Sequence, residues 1–432
     1  MARIVFVGAG QVDLIRRVVS DLFLASALKG RLEIVLHDDD PGHLATAEAL
    51  VRALDAESGA AARITACPDR RRALDGAAFV ISHVDRGGFE AALRDFEIPR
   101  RYGLRQTIGD TIGIGGVFRG LRSIPFFVRL GHEMAELCPE AWLLNGSDPM
   151  AMIGWAVHEA TGFERFAGMC HAVCDTHAYL ADLLGRDLDE VTFLSAGLNH
   201  QSFVLRFEAG GRSLYPELDA ALAADPDLGR HVRMEMYRRF GYFPTQSSEH
   251  AAEYVPWFMR HEAETERLGV PMEEFLRRFG KDMHAYEETR RALAAGRPLL
   301  IRWQHQEPAA AAILAMLTGR GKEVYVNVRN GGLIGNLPEN CCVEVPATAD
   351  ATGLHPRPVG DLPVQLVALH RTFLNVVELT VRAVLDGDRR HVHHAAMLDP
   401  NTAATLPLPA IEELCDELIE AHGELLPEAI RR

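Results

Sequence analysis

Residues 3–8 (RIVFVG) form an apolar run rich in β-branched side chains, and after Gly8-Ala9-Gly10 the apolar positions of 12–29 recur at helical spacing. The pattern predicts a strand, a glycine turn and a helix. A second apolar run, 32–37 (LEIVLH), ends in Asp38-Asp39-Asp40. An alanine-rich helix is predicted over about 42–59 and a third strand over 78–82 (AFVIS). Strands alternating with helices imply a parallel sheet and an α/β class. Residues 141–144 (AWLL) read as one more buried strand, running into the turn Asn145-Gly146-Ser147-Asp148-Pro149. From about 165 the rhythm loosens into an α+β half: 191–208 is strand-like, 217–240 helical, 241–248 a loop, and helices follow to 295. A strand at 323–328 (EVYVNV) meets the turn Asn330-Gly331-Gly332, and helical stretches at about 363–386 and 409–424 close the pattern.

Composition narrows the function classes. With 48% hydrophobic and 24% charged residues over 432 positions, the chain is an ordinary globular protein long enough for two or three domains. Its net charge of −15 argues against nucleic acid or an anionic membrane surface as the main partner, and leaves a small molecule. No apolar run reaches membrane-spanning length, and a strand starting within a few residues of Met1 leaves no room for a signal peptide, so a cytoplasmic location is expected. Seven cysteines, an odd number that includes the adjacent Cys341 and Cys342, do not form a secreted disulfide framework. They read as thiols or metal ligands.

A glycine turn between the first strand and helix lets backbone N–H groups and a helix N-terminus face a pyrophosphate. Gly8, Gly10 and the following Gln11 fit that role, although Asp13 stands where the third glycine of G-x-G-x-x-G would be. Asp38, at the end of the second strand, is placed to accept hydrogen bonds from an adenosine ribose, which favours NAD over NADP. Asp39 or Asp40 serves equally well as a helix N-cap. A second cluster is Cys170, His171, Cys174 and His177, followed by His200. Spacing supports either a structural zinc site of Cys170, Cys174 and His177, or a catalytic ion held by one cysteine and His200 with positions open to substrate. Two polar loops, 105–120 around Asp110 and Thr111, and 241–250 with Tyr242, Ser247, Ser248, Glu249 and His250, are further places for a site.

Taken in order, VGAG with VLHDDD, RGGFEAALRDFEIPRRYGL, GDTIGIGGVFRGLRSIP, the Asn145 to Met150 turn, MCHAV, GLNHQSF, NGGLIGNLPENCCVEVP and HAAMLDPNTAA resemble glycoside hydrolase family 4 over nearly the whole chain. That resemblance implies a Rossmann-type NAD-binding domain over 1–165 and a second α+β domain over 166–432, in a lactate/malate dehydrogenase-like fold. It implies NAD and a divalent ion, manganese, as cofactors. The family's metal ligands map onto Cys170 and His200, leaving Cys174 and His177 as structural residues. The implied reaction departs from the two-carboxylate scheme of most glycosidases: transient oxidation at sugar C3, loss of the C2 proton, elimination of the aglycone and return of the hydride.

The resemblance also distributes roles. His171 stands where other branches carry a general acid. The base maps to the 242–250 loop near Ser247, with Tyr242 and Glu249 as candidates, and Asn145, Asp148 and Asn199 are expected at the sugar. The Cys170-His171-x-Val173 pattern resembles the branch acting on unphosphorylated α-glycosides, and FGYFPTQSSEHAAEYVPWF its α-galactosidases. Ala172 and Asp148 depart from that branch, which carries a serine and an asparagine there. The expectation is an NAD- and metal-dependent α-galactosidase forming a homodimer or homotetramer. The alternatives are an α-galacturonidase or α-glucuronidase of the same mechanism, or an NAD-dependent dehydrogenase acting on a sugar or hydroxy acid.

Overall fold

The apolar runs read as strands all enter one mixed sheet in the computed structural model, which describes residues 1–297, 299, 301–303 and 307–432. β1 (Ala2–Val7), β2 (Leu32–His37), β3 (Arg63–Ala66), β4 (Phe79–Ser82), β5 (Trp142–Asn145) and β6 (Phe166–Gly168) lie in the order β3-β2-β1-β4-β5-β6, every neighbour parallel. This is the doubly wound order of dinucleotide-binding sheets, and its direction reverses between β1 and β4. β3 and β6 were not legible as strands, being only four and three residues long.

The sheet continues with antiparallel neighbours. β7 (Val191–Leu198), β8 (Gln201–Ala209), β9 (Arg212–Ser213), β10 (Phe243–Pro244), β11 (Lys322–Arg329), β12 (Cys342–Asp350) and β13 (Gly353–Pro356) complete 13 strands among the described residues. β11 joins the parallel half by pairing Asn327 with Gly168 of β6. β7 and β8 form a hairpin in which Leu198 faces Gln201, so Asn199 and His200 alone make its turn.

Two expectations shift. The helical stretch 217–240 is two helices, Tyr215–Ala224 and Val232–Phe240, because Asp225-Pro226 interrupts it and proline cannot donate to the preceding turn. The expected loop 241–248 holds the short β10 and leads into helix Ser248–Glu253.

β1 shows why the parallel half is stable. Ile4 and Phe6 pack in the cluster that includes Leu22 of helix Val12–Leu24 and Val51 of helix Pro41–Ser58, whereas Val5 and Val7 pack with Phe127 and Leu130 of helix Gly113–Leu137. A strand stretch covered on both faces is apolar at every position, which is how Ile4 to Val7 are written. Each such side chain contributes about 1.5–3 kcal/mol on burial. No helix of the described residues is long and apolar enough to cross a membrane.

One buried ion pair ties distant segments together near the site. Arg122 donates to both carboxylate oxygens of Asp95 (3.0 and 2.6 Å), and His422 Nε2 lies 2.8 Å from Asp95 Oδ1. Burial alone would push the Asp95 carboxyl up, but Arg122 and His422 hold it below the usual carboxylate range. Arg122 Nε also donates to the carbonyl of Arg86, so the pair fixes the loop after β4. Removing one partner of such a pair strands a buried charge. Asp95→Asn is expected to lower the unfolding free energy by about 3–5 kcal/mol, read from the urea-unfolding midpoint. An unchanged midpoint would show that the pair does not hold the fold.

Candidate functional site

The first cavity, about 490 Å³, opens where the sheet order reverses, at the ends of β1, β2 and β4. Gly8 sits there at φ +88°, and a Cβ on it would lie 2.3 Å from the His83 carbonyl oxygen, so only glycine lets the β1 and β4 ends meet. Gly10 N–H donates to Asp38 Oδ2 (2.7 Å) and Asp40 N–H to Asp38 Oδ1 (2.9 Å). Asp38 thus ties the glycine turn to the end of β2 while still lining the cavity with Gly8, Gly10 and Gln11. Asp40 is the N-cap of helix Pro41–Ser58, accepting from Gly42 and His43 N–H. Helix Val12–Leu24 begins at Gln11 with no side chain capping it, which leaves its positive end available to an anion.

A second cavity, about 270 Å³, collects the metal-ligating side chains. Asp110 comes from the glycine-rich loop, Asp148 from the turn after β5, Cys170 from just beyond β6, His200 from the β7–β8 turn and His250 from helix Ser248–Glu253. His200 takes a left-handed backbone, φ +63°, uncommon for a side-chain-bearing residue and a mark of a site held by its surroundings. Its Nδ1 lies 2.7 Å from Thr111 Oγ1, which donates in turn to Asp110 Oδ1 at 2.7 Å. With Nδ1 so engaged, Nε2 is the nitrogen left to bind. His250 Nε2 is 3.6 Å from Asp110 Oδ1, and its Nδ1 is 3.0 Å from Ser247 Oγ. One ligand atom each from Asp110, His200 and His250 falls within 4.8 Å of the others.

The loop carrying Asp110 is held from below. Glu253, one turn after His250, accepts backbone N–H groups from Thr107, Ile108 (3.0 Å) and Gly109 (2.9 Å). Burial nonetheless pushes its carboxyl up to about 7.

The cluster is rich in acid. Burial alone would lower the His200 imidazole, but Asp148, Cys170 and Asp110 hold it up to about 10. Burial raises Asp148 to about 6 and raises the Cys170 thiol, while Asp110 stays well below the carboxylate range against its own burial because His250, His200 and Arg119 face it. Burial lowers His250, which favours its neutral form. Carboxylates beside a thiol and an imidazole are a donor set that fits a divalent transition ion. Behind it, Glu344 of β12 accepts from Ser202 (2.6 Å) and Asn327 (3.0 Å).

The residues expected from sequence fall unevenly around this centre. His171 lines the same cavity, half-buried, with Nε2 3.1 Å from Glu307 Oε2; Arg17 Nε is 3.1 Å from the same oxygen. Asn145 is fully buried and its amide is used within the turn, accepting from Ser82 and from Ser147 N–H and donating to the Ser147 carbonyl. Asn199 is buried in the hairpin turn and approaches Glu344 instead of lining the cavity. Tyr242 and Glu249 do not line it either. Tyr242 packs on the hydrophobic cluster around Phe203 and Phe258, on the side of the chain opposite to Phe243. Glu249 leaves its helix about 100° from His250 and faces Arg278 at 3.9 Å, so the loop presents Gln246 and His250 in their place. His177 stacks on Phe193 at 4.6 Å, away from the cluster, and Cys174 is a thiol pushed up to about 11 by burial.

Sequence reading passed over His83 and Arg119. A third, small cavity contains both and shares Gln11, Asp85 and Asp282 with the first and Asp110 with the second. His83 borders all three. Burial and then the Arg119 charge lower its imidazole to about 4, so it is neutral at pH 7. Its position directly after the β4 run, at the reversal of strand order, is the signal that could have found it.

Comparison with known proteins gives the arrangement a family. Residues 3–186 match the family described as "Family 4 glycosyl hydrolase" and residues 195–402 its C-terminal domain. The chain is 38% identical to the alpha-galactosidase of Bacillus subtilis (strain 168) over 433 residues, 99% of this chain and 100% of that one. Its fold is similar to that of a 6-phospho-alpha-glucosidase from gut microorganisms solved in complex with NAD and Mn2+, with a TM-score of 0.84 at 20% identity over 98% of this chain and 99% of the other. A more distant likeness, TM-score 0.53 at 14% identity over 89% of this chain and 99% of the other, is to malate dehydrogenase from Plasmodium falciparum, in keeping with the dehydrogenase-like fold expected. The chain is a glycoside hydrolase, and it belongs to family 4 of the glycosyl hydrolases.

Proposed function

We propose that this chain hydrolyses unphosphorylated α-galactosides with NAD and a divalent ion, manganese, as cofactors. The observation that carries the reading is the continuity of the two cavities through His83, which lets a dinucleotide and a metal ligand set address one sugar. When bound, the two groups supply a hydride acceptor for sugar C3 and a Lewis acid for the oxygens at C2 and C3.

The chain's own residues do the rest. The uncapped start of helix Val12–Leu24, reached past Gly8, Gly10 and Gln11, holds the pyrophosphate, and Asp38 the adenosine ribose. Cys170 and His200 hold the ion, with the Asp110 and Asp148 carboxylates beside them, and Thr111 fixes the His200 ring through Nδ1. His250, braced by Ser247, replaces Tyr242 and Glu249 as the group placed to take the C2 proton. His171, oriented by Glu307, protonates the departing aglycone oxygen. Asn145 and Asn199 shape the turns that carry Asp148 and His200, while Asp148 itself faces the sugar.

Two features support a neutral sugar of the galactose type. Asp110, Asp148 and Asp175 line the second cavity and disfavour a phosphate or carboxylate there. The 38% relative named alpha-galactosidase matches end to end. An α-galacturonidase is the second reading, because Arg17 reaches the same cavity and could meet a uronate.

Turnover of p-nitrophenyl α- and β-glycosides, with NAD and Mn2+ each present or omitted under reducing conditions, tests the reading. Release from the α-galactoside that requires both additives, without NADH accumulating, is expected. Cleavage of the galacturonide alone would favour the second reading, and turnover independent of NAD would overturn both. Cys170→Ser is expected to cut activity about 100-fold or more while NAD affinity stays unchanged. His250→Gln is expected to lower kcat about 100-fold and Glu249→Gln to leave it within about 2-fold; the reverse order would return the base to Glu249.

A further inference from the structure

The far wall of the first cavity comes from the other half of the chain. Phe279, Asp282, Met283, Tyr286 and Glu287 of helix Glu274–Ala294 line the cavity across from Gly10, Asp38 and His43. Their spacing places them on one helical face. Of this helix's 21 residues only Glu274 and Thr289 are buried, so it lies over the cavity without a core of its own. Met283 is left 48% exposed at the rim, an apolar side chain with little to cover it.

Polar contacts hold the helix down. Glu273 and Phe275 N–H donate to the carbonyls of Gln106 and Thr107 at 2.9 and 3.0 Å. The Tyr286 hydroxyl is 3.1 Å from Thr46 Oγ1, its ring meets His43 edge-on at 5.0 Å, and Arg16 donates to Thr289 Oγ1 at 2.8 Å. His43 Nδ1 lies 3.7 Å from Asp38 Oδ1, so these last contacts gather at the ribose end of the cavity. The start of the helix is anchored by Phe275 and Phe279 against Phe96 and Phe89, whereas its second half, over the cavity, has few buried apolar contacts and a handful of polar latches and opens at lower cost.

We propose, resting on the NAD reading above, that helix Glu274–Ala294 completes the cofactor site as a retaining cover: Tyr286 and Met283 pack on the adenosine moiety, and Thr46 and Arg16 latch the cover shut. A reaction that returns its hydride in every cycle leaves the dinucleotide chemically unchanged, so nothing requires it to depart. The cover makes an exchangeable coenzyme a resident one. Asp282 and Glu287 on the covering face also add negative charge opposite Asp38, which disfavours a 2′-phosphorylated dinucleotide.

The test is the rate at which bound NADH leaves the full-length protein, followed by fluorescence after mixing with excess NAD. Tyr286→Ala and Thr46→Val are each expected to speed release about 10-fold, the effect of losing one such contact. Glu288→Ala, at an exposed position where it faces His284, is expected to leave the rate unchanged. kcat at saturating NAD is expected to stay within about 2-fold in Glu288→Ala, whose side chain lies outside the cavity. Unchanged release in both folded latch variants would overturn the cover while leaving the NAD reading intact. Failure of the wild-type chain to bind NADH would overturn that reading and the cover with it.

Discussion

Everything at the site depends on β6 being shared by two kinds of sheet. This three-residue strand pairs parallel with β5 on one side and antiparallel with β11 on the other. The approach is close: a Cβ on Gly168 would lie 2.4 Å from Met150 Sδ and 2.9 Å from Asn327 Cβ. Because the halves meet there, Cys170 emerges between the turn carrying Asp148 and the hairpin carrying His200. The parallel, dinucleotide-binding type of sheet and the antiparallel sheet that carries His200 are joined by strand pairing.

Charge then does what hydrogen bonding alone could not. Asp110, Asp148, Cys170 and Glu344 surround two buried imidazoles, and most of their ionisation behaviour follows from burial opposed by one another's charges. Such a cluster is costly unless something positive completes it. On the reading proposed above, the carboxylates that line the cavity would both favour a divalent ion and disfavour an anionic sugar.

How much was legible in the sequence follows from how local each feature is. The apolar runs, the glycine turn and the Asp38 strand end are written in adjacent residues, and the structure places them together. Cys170 and His200 each lie inside a distinctive stretch, and the structure brings both to the second cavity. What a local pattern cannot supply is side-chain direction in an irregular loop: at 242–250 the positions were found, but one step along a helix separates Glu249 from His250 by about 100°. Nor does any local signal say that helix Glu274–Ala294 will face the first glycine turn across one cavity, since that arrangement exists only once the halves are joined. His83 was missed for a similar reason, its meaning coming from strand order and not from its neighbours.

The hairpin turn at His200 has a consequence for how this chain can change length. Surface loops ordinarily absorb insertions and deletions, and the exposed Gly210-Gly211 turn that joins the far end of β8 to β9 is free to do so. The Asn199-His200 end is not. Its two residues fix the register between Leu198 and Gln201, and the ring reaches the cavity only from a left-handed backbone at the second of them. One added residue would carry the imidazole out of reach of Thr111 or turn every following side chain of β8 to the opposite face. The chain can therefore take an added residue at one end of β8 and not at the other.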